Sequence, residues 1–248
     1  MAIILMPLPK HDFDPTETAV PWFELIQRGH RVCFATPDGS MAKADPRMVN
    51  GSGLGPWKSL LRADKNGRAA YSTMIEDPAF KHPWDYRRAA LEHIDGLILP
   101  GGHAPGMREY LESGDVHGMV TTAFERDIPV GAICHGVIVA ARSKNKNGQS
   151  VLFGRKTTAL TRSLEMSGWM LTVAWLGNYY RTYPETVQEE VTGVLANPDD
   201  FTGGPFALFR DSRNRLDRGF TVRDGNYLSA RWPGDAHRFA VDYADMLE

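Results

Sequence analysis

The chain has 248 residues, of which 42% are hydrophobic and 23% are charged, and its net charge is −2. This balance is typical of a folded globular protein and excludes a disordered chain or a coiled coil. The near-neutral charge, without a run of Lys or Arg, predicts no nucleic-acid partner and no anionic lipid partner. No stretch approaches the ~18 apolar residues that a membrane-spanning helix needs.

The two cysteines, Cys33 and Cys134, are too few for the disulfide framework of a secreted protein. The apolar run Ala2–Met6 is short and lacks a basic leader, so it predicts a first strand and not a signal peptide. We therefore expect a cytoplasmic protein with reduced thiols that forms a single domain over residues 1–248.

The first half of the chain alternates short apolar runs with helical patterns, which predicts parallel βαβ units. In chain order, strands are predicted at Ala2–Met6, Arg31–Thr36, Ile94–Leu99 and Pro129–Ile133, and helical segments at Glu17–Arg28, Asp85–His93, Met107–Arg126 (interrupted at Gly114) and Val137–Arg142. The stretch Ser40–Pro83 is rich in Gly and Pro and is predicted to be mostly loop.

The second half is less regular. It predicts a strand at Lys156–Leu160, an aromatic-rich segment at Glu165–Tyr180, a helix at Pro184–Leu195, a loop at Asn197–Pro205, a hairpin from Gly219–Arg223 and Asn226–Ala230 around Asp224-Gly225, and a closing helix at Asp235–Leu247. Together the elements predict an α/β fold, a flavodoxin-like doubly wound sandwich. Its mostly parallel sheet carries helices on both faces.

The sharpest local motif is PVGAICHG, Pro129–Gly136. A buried strand ends at Cys134, and His135 and Gly136 lead into a helix, which is the pattern of a nucleophile elbow. The helix N-terminus next to such a cysteine favours the thiolate, which is the reactive form. The alternative is that Cys134 is simply a buried core residue. Cys33, inside a strand, is interpreted as core.

Two further segments follow predicted strands at the same sheet edge. LPGGHAPG, Leu99–Gly106, brings paired glycines whose backbone can approach a ligand closely or supply an oxyanion donor. In DPTETAVP, Asp14–Pro21, Glu17 follows the first strand, although an acid in the first turn of a helix is also favoured by the helix dipole alone.

These three segments, in this order, resemble the DJ-1/ThiJ/PfpI superfamily, which shares the fold of the class I glutamine amidotransferases. The branch they resemble most is the Hsp31-like group of glutathione-independent (glyoxalase III-like) glyoxalases and chaperones. The segment Gly154–Glu165 and the closing hairpin and helix are also similar to that branch. The His-x-Glu pair of the amidotransferases is missing, since His237 is followed by Arg238-Phe239, which disfavours glutamine hydrolysis.

The resemblance implies a role for each site residue. Cys134 is the expected nucleophile, Glu17 a protonated carboxylic acid beside its sulfur, and His135 the adjacent base, oriented by Glu165 in a Cys-His-Glu triad. Gly101, Gly102 and His103 are expected at the oxyanion site and pocket. No metal and no other cofactor is implied, and family habit implies a homodimer.

Two regions depart from the branch pattern. Residues 166–219 form a divergent insertion, which we interpret as a possible cap or dimer element; its candidate contacts are Trp169, Trp175, Tyr179, Tyr180 and Arg181. Where relatives often carry a G-x-N-P turn, this chain has Arg231 and Trp232, which we expect near the pocket or at a subunit contact.

The resemblance favours a cysteine enzyme that acts on a small reactive carbonyl compound, converting methylglyoxal and water to lactate. Two alternatives stay open on the same residues. One is a cysteine hydrolase of amidase, peptidase or hydratase type, acting on an amide or related substrate. The other is a stress-response protein without an enzymatic function, a redox sensor or holdase chaperone.

Overall fold

The apolar runs of the chain form the strands of one central sheet. The structure, a computed structural model, describes residues 1–206 and 209–248. The described residues form the strands β1 (Ile3–Pro7), β2 (His11–Phe13), β3 (Arg31–Thr36), β4 (Lys43–Ala44), β5 (Trp84–Asp85), β6 (Gly96–Leu99), β7 (Val130–Ile133), β8 (Thr221–Asp224) and β9 (Tyr227–Ala230). Seven of these strands share a sheet in the order β5-β3-β1-β6-β7-β9-β8, and β2 pairs with β4 outside it. The pair β8–β9 is antiparallel and the other pairs are parallel.

The helices cover both faces of this sheet. In the described residues they are α1 (Pro15–Gln27), α2 (Pro46–Asn50), α3 (Lys58–Leu61), α4 (Lys65–Met74), α5 (Pro78–Lys81), α6 (Tyr86–Ala89), α7 (Arg108–Leu111), α8 (Gly114–Glu125), α9 (Gly136–Arg142), α10 (Arg162–Leu176), α11 (Val187–Gly193) and α12 (Ala236–Asp245). One layer contains α1 packed against α4 and α12, and another contains α8 packed against α9. Every residue of β6 and β7 is buried, as expected for strands covered on both sides. The predicted doubly wound fold is confirmed.

The elements of the first half lie close to their predicted positions. β3 has the predicted bounds, and the stretch predicted to break at Gly114 divides into α7 and α8, with the Ser113 side chain capping α8. The hairpin is also confirmed, since Asp224 pairs with Tyr227 across Gly225, whose φ is 61°. The helix predicted at Asp85–His93 is shorter, because α6 ends at Ala89.

The strand predicted at Lys156–Leu160 is wrong. In this segment Thr157 makes a single bridge to Phe201, and the Thr158 N–H donates to the Ser229 hydroxyl (2.9 Å). The sheet has no room for another strand beside Ser229, because β9 already lies between β7 and β8.

The stretch predicted to be mostly loop, Ser40–Pro83, contains α2, α3, α4 and α5. For two of these helices the missed signal is an Asp-Pro pair. Asp45 and Asp77 cap α2 and α5, and the proline after each occupies the first turn of the helix. An Asp at the N-cap followed by Pro is a favoured helix start, even where the helix is too short to show a periodic pattern.

Candidate active site

Cys134 lies at a sharp turn between β7 and α9. Its φ is 58°, a left-handed conformation that is unusual for a residue other than glycine. The following turn needs Gly136, because a Cβ there would lie 2.0 Å from the carbonyl oxygen of Leu99. The Cys134 N–H donates to the Ala230 carbonyl at 3.0 Å, which continues the ladder of the sheet. The nucleophile elbow predicted from the sequence is therefore present as a backbone geometry.

The surroundings of Cys134 disfavour the ionised form of its thiol. Cys134 is 4% exposed. Burial raises its pKa well above the ordinary thiol value, and the nearby acids Glu17 and Asp14 act in the same direction. Burial thus opposes the thiolate that the position beside the start of α9 favours, because desolvation penalises the charged form.

His135 is fully buried and faces the thiol with one ring nitrogen. Its Nδ1 lies 3.4 Å from the Cys134 sulfur, and its Nε2 lies 3.1 Å from the Thr182 hydroxyl. The Thr182 hydroxyl donates its own hydrogen to the carbonyl of His103 at 2.7 Å, so it accepts from His135. Nε2 therefore carries the proton and Nδ1 presents its lone pair to the thiol. Burial lowers the pKa of His135 to about 3, which keeps the ring neutral.

Glu17 reaches the same place from the first turn of α1. The Asp14 side chain accepts the N–H groups of Thr16 and Glu17 at 2.8 and 3.0 Å and so starts the helix. Glu17 is fully buried, and burial, assisted by the charge of Asp14, raises its pKa well above the ordinary value. The carboxyl is near the Cys134 thiol and the Gly101 N–H, which oppose this shift. Neither carboxyl oxygen makes a hydrogen bond of good geometry within the described residues.

Gly101 leaves the space that Glu17 occupies. A Cβ at position 101 would lie 2.6 Å from a Glu17 carboxyl oxygen and 2.8 Å from the His135 N–H nitrogen. The neighbouring Gly102 lines the cavity above Cys134. In the described part of the chain, the N–H groups of Gly102 and His135 donate to no backbone carbonyl. These two groups are candidate oxyanion donors.

The structure does not bring Glu165 to His135. Glu165 lies in the first turn of α10, where it accepts the Val187 N–H at 2.9 Å and lies 3.4 Å from the Arg181 guanidinium. Its carboxyl therefore serves the start of α11, and burial raises its pKa to about 7. Among the described residues, Thr182 takes the position at His135 that the sequence assigned to Glu165. Thr182 carries no local motif, so sequence reasoning had no signal for it.

Of the candidate aromatic residues of the insertion, Tyr180 lines the cavity, whereas Tyr179 and Trp175 contact the segment around α2. The Tyr180 ring stacks on His103 with 4.1 Å between ring centroids, and burial lowers the pKa of His103 to about 3. Tyr179 hydrogen-bonds to the Asp45 carboxylate, and the Trp175 indole donates to the Gly53 carbonyl at 2.9 Å. The end of α10 is thereby joined to the segment around α2.

A cavity of about 450 Å³ opens above Cys134. Its lining includes residues that the sequence analysis named, from all three motifs and beyond them: Glu17, Gly102, His103, Cys134, Glu165, Tyr180 and Trp232. It also includes residues that the sequence did not single out for the site: Asp14, Met48, Arg62, Leu164 and Arg210. Asp14 could have been found from its Asp-Pro pair. The predicted position of Trp232 near the pocket is confirmed, whereas Arg231 is buried beside it and pairs with Asp235 at 2.8 Å.

The described residues contain no group of three or more His, Cys, Asp or Glu side chains that could hold a metal ion. Over the same residues, no helix combines the length and the apolar character that crossing a membrane requires.

The ThiJ/PfpI family-like model matches residues 8–194, three quarters of the chain and all three site motifs. An uncharacterised protein of Schizosaccharomyces pombe is 31% identical over 108 residues, which cover 43% of this chain and 39% of that protein. The chain thus spans less than half of the length of this relative.

Solved structures share the fold over nearly the whole chain. Glyoxalase III from Candida albicans superposes with a TM-score of 0.69 at 18% identity, covering 100% of this chain and 98% of that one. DJ-1beta of Drosophila melanogaster superposes with a TM-score of 0.59 at 16% identity, covering 99% of this chain and 90% of that one. At these identities the likeness concerns the fold.

Proposed function

The chain belongs to the ThiJ/PfpI family, and on that premise we propose that it is a cysteine-dependent, glutathione-independent glyoxalase acting on small 2-oxoaldehydes. The observation that carries the proposal is that Cys134 and Glu17 line one cavity while the buried His135 ring presents Nδ1 to the Cys134 sulfur at 3.4 Å, so that a base and a carboxylic acid of raised pKa both lie beside the thiol.

The first step is the addition of Cys134 to the aldehyde carbon. As the sulfur–carbon bond forms, the thiol proton passes to Nδ1 of His135, whose lone pair faces the sulfur. The aldehyde oxygen takes the proton of Glu17. The product is a neutral hemithioacetal beside an imidazolium and a carboxylate. Because the thiol gives up its proton only as it attacks, the raised pKa of Cys134 does not prevent the reaction.

The second step moves hydrogen from one carbon to the next. The Glu17 carboxylate removes the proton on C1, and the imidazolium protonates the oxygen on C2, which gives an enediol. Glu17 then delivers its proton to C2 while the C1 hydroxyl proton returns to His135. C1 is oxidised and C2 is reduced by the same electron pair, so no external oxidant is needed. Burial makes the Glu17 carboxylate a strong base when it is ionised.

The last step releases the acid. Water attacks the resulting thioester and gives one proton to Glu17, and the leaving sulfur takes the proton held by His135. Methylglyoxal and water thus yield lactic acid, and the three side chains return to their neutral state.

The test is lactate formation from methylglyoxal without glutathione. Cys134→Ala should abolish turnover, and Glu17→Gln should lower kcat by about 10²–10⁴, the range of positioned acid–base catalysis. Cys33→Ala is the matched control, since it removes the other thiol, inside β3, and should retain activity. Equal lactate formation by the wild type and Cys134→Ala would overturn the proposal.

Of the alternatives, the redox sensor is the less favoured, because readily oxidised cysteines have low pKa values and burial raises that of Cys134. A hydrolase uses the same elbow, and its signature is an acyl group on Cys134 in intact-mass measurements with amide or ester substrates. Homodimer formation stays a prediction from the family resemblance.

A further inference from the structure

Two arginines line the cavity above Cys134 without an ion-pair partner. Arg62 and Arg210 both contribute to the cavity wall. Within residues 1–206 and 209–248, neither guanidinium lies within 4.0 Å of a carboxylate. Most buried or half-buried arginines of a folded protein pair with an acid, so this arrangement leaves positive charge available to a ligand.

Arg210 is held in place through one of its two terminal nitrogens. Its Nη2 donates to the carbonyl oxygens of Leu60, Leu61 and Arg62 at 3.4, 3.4 and 3.2 Å. Its Nη1 is buried and makes no hydrogen bond within the described residues. The guanidinium is therefore positioned by the last carbonyl groups of α3 and by that of Arg62, while one nitrogen that must donate has no acceptor. A buried donor without an acceptor costs free energy, which a bound ligand would recover.

Other hydrogen-bond donors of the same cavity also lack acceptors. The Trp232 indole, whose ring lies 5.6 Å from the Arg210 guanidinium carbon, has a buried Nε1 without a partner in the described part of the chain. The Tyr180 hydroxyl is buried and unpartnered in the same way. An indole N–H can only donate and a guanidinium can only donate, so both need an acceptor, and the positive guanidinium favours a negatively charged one.

None of the four acids that line the cavity, Asp14, Glu17, Asp64 and Glu165, lies within 4.0 Å of the Arg210 or Arg62 guanidinium. The charge of Arg210 opposes the rise in the pKa of Asp14 and Glu17, but burial prevails and keeps the pKa of each above its ordinary value. The oxygen of Asp14 that makes hydrogen bonds is occupied by the N–H groups of Thr16 and Glu17. The charge of Arg210 thus affects Asp14 and Glu17 through space, and its Nη1 makes no hydrogen bond to either carboxyl.

We propose that the substrate of this cavity is a 2-oxoaldehyde that carries a carboxylate at its other end, and that Arg210, assisted by Trp232 and Arg62, binds this carboxylate. The inference rests on the proposed function for the reaction at Cys134. Methylglyoxal has no such group and would leave these donors unpaired. A cavity of about 450 Å³ also has room for a longer carbon chain than three atoms.

A matched pair of substrates isolates the effect of the carboxylate. 4,5-Dioxopentanoate ends in a carboxylate, whereas 2-oxopentanal ends in a methyl group; with one water each, they yield 2-hydroxyglutarate and 2-hydroxypentanoate by the steps given above. We expect kcat/KM to favour 4,5-dioxopentanoate by about tenfold to hundredfold, the range of a hydrogen bond to a charged group. Arg210→Gln should bring this ratio close to one, and Arg210→Lys should restore part of it.

The control variant is Arg215→Gln, which removes the same charge from an exposed arginine that pairs with Asp217 at 3.1 Å, outside the cavity lining. It should keep the wild-type ratio. A wild type without preference, or a preference that persists in Arg210→Gln, overturns the proposal. Because Arg210 also binds the carbonyl groups at the end of α3, circular dichroism and thermal unfolding accompany each variant.

A binding measurement separates this inference from the proposed function. In Cys134→Ser, which removes the attacking thiol, calorimetry compares the unreactive ketone 4-oxopentanoate with the neutral 2-pentanone. Tighter binding of 4-oxopentanoate that is lost in the double variant with Arg210→Gln supports the carboxylate site even if no 2-oxoaldehyde is turned over. Equal binding of both ketones rejects the carboxylate site, whatever the result for methylglyoxal.

Discussion

At the scale of single residues, the site depends on groups that burial keeps neutral. Burial raises the pKa of the Cys134 thiol and the Glu17 carboxyl, and it lowers that of the His135 ring. The same apolar surroundings thus act on an acid, a thiol and a base in the direction of the uncharged form. Charge is expected to appear only while a substrate is bound.

The state of Cys134 can be measured by alkylation. In Cys33→Ala, which leaves a single thiol, iodoacetamide should react with Cys134 more slowly than with a free cysteine. The rate should still be increasing at pH 9, because the pKa of the buried thiol is raised. Mass spectrometry follows the reaction, and urea-unfolded protein serves as the control. A rate that reaches its plateau below pH 7 would contradict the neutral thiol.

Thr182 is predicted to act as a positioning residue for His135. Thr182→Val removes the oxygen that accepts the Nε2 proton at 3.1 Å, so the ring loses the contact that selects its tautomer. We expect kcat/KM for methylglyoxal to fall by about 10–100-fold, as for other partners that orient a functional histidine. Thr182→Ser should restore most of the activity. The ¹⁵N NMR shifts of the His135 ring report its tautomer. An unchanged tautomer in Thr182→Val would contradict the positioning role of Thr182.

At the scale of elements, the turn between β7 and α9 is set by close backbone packing. The position of Gly136 beside Leu99 brings the start of α9 against the end of β6. This contact also holds Cys134 at the carboxyl end of the parallel strands, where the segments after β1 and β6 arrive. The elbow and the paired glycines therefore form one structural unit.

Gly136→Ala is expected to destabilise the protein by more than about 3 kcal/mol, because the new methyl group would meet a backbone atom that cannot move aside. The matched control is Gly118→Ala, in the middle of α8, where an added Cβ meets no atom within 4 Å. That change should stabilise the protein by about 0.5–1 kcal/mol through helix propensity. Urea unfolding of both variants gives the two free energies, and equal values would contradict the packing argument.

At the scale of the whole molecule, buried acids make stability depend on pH. Burial raises the pKa of Glu165 and Asp211 to about 7 and that of Asp45 to about 6. The folded protein holds these protons more tightly than the unfolded chain does. The stability they contribute is complete below the unfolded pKa, near 4.5 for Glu and 3.8 for Asp, and is lost as the pH rises through the folded values.

These three acids should therefore make the free energy of unfolding fall between pH 5 and pH 8, whereas His135 and His103, whose pKa burial lowers to about 3, act in the opposite direction only below the ordinary histidine pKa of 6.5. Glu165→Gln should reduce that fall by about 1–3 kcal/mol, because the amide can still accept the Val187 N–H and no longer ionises. The exposed Glu125→Gln serves as the control and should leave the pH dependence as in the wild type. A fall of the same size in the wild type and in Glu165→Gln would contradict a raised pKa for Glu165.

Much of this arrangement follows from the sequence alone. The alternation of apolar runs and helical patterns determines the parallel sheet, and the carboxyl ends of its strands bring Glu17, Gly101 and Cys134 to one edge whatever the details of packing. The hairpin at Asp224-Gly225 and the break at Gly114 follow from local turn chemistry. These features depend on neighbours in the chain, so local patterns suffice to predict them.

Only the tertiary structure decided the rest. Thr182 and not Glu165 faces His135, Lys156–Leu160 finds no free sheet edge, and Arg210 meets Trp232 at the cavity. The ionisation state of Cys134 belongs to the same group, because a pKa depends on how completely distant segments exclude water from the thiol. Each of these contacts joins residues far apart in the chain, through segments of irregular length whose positions no local periodicity encodes.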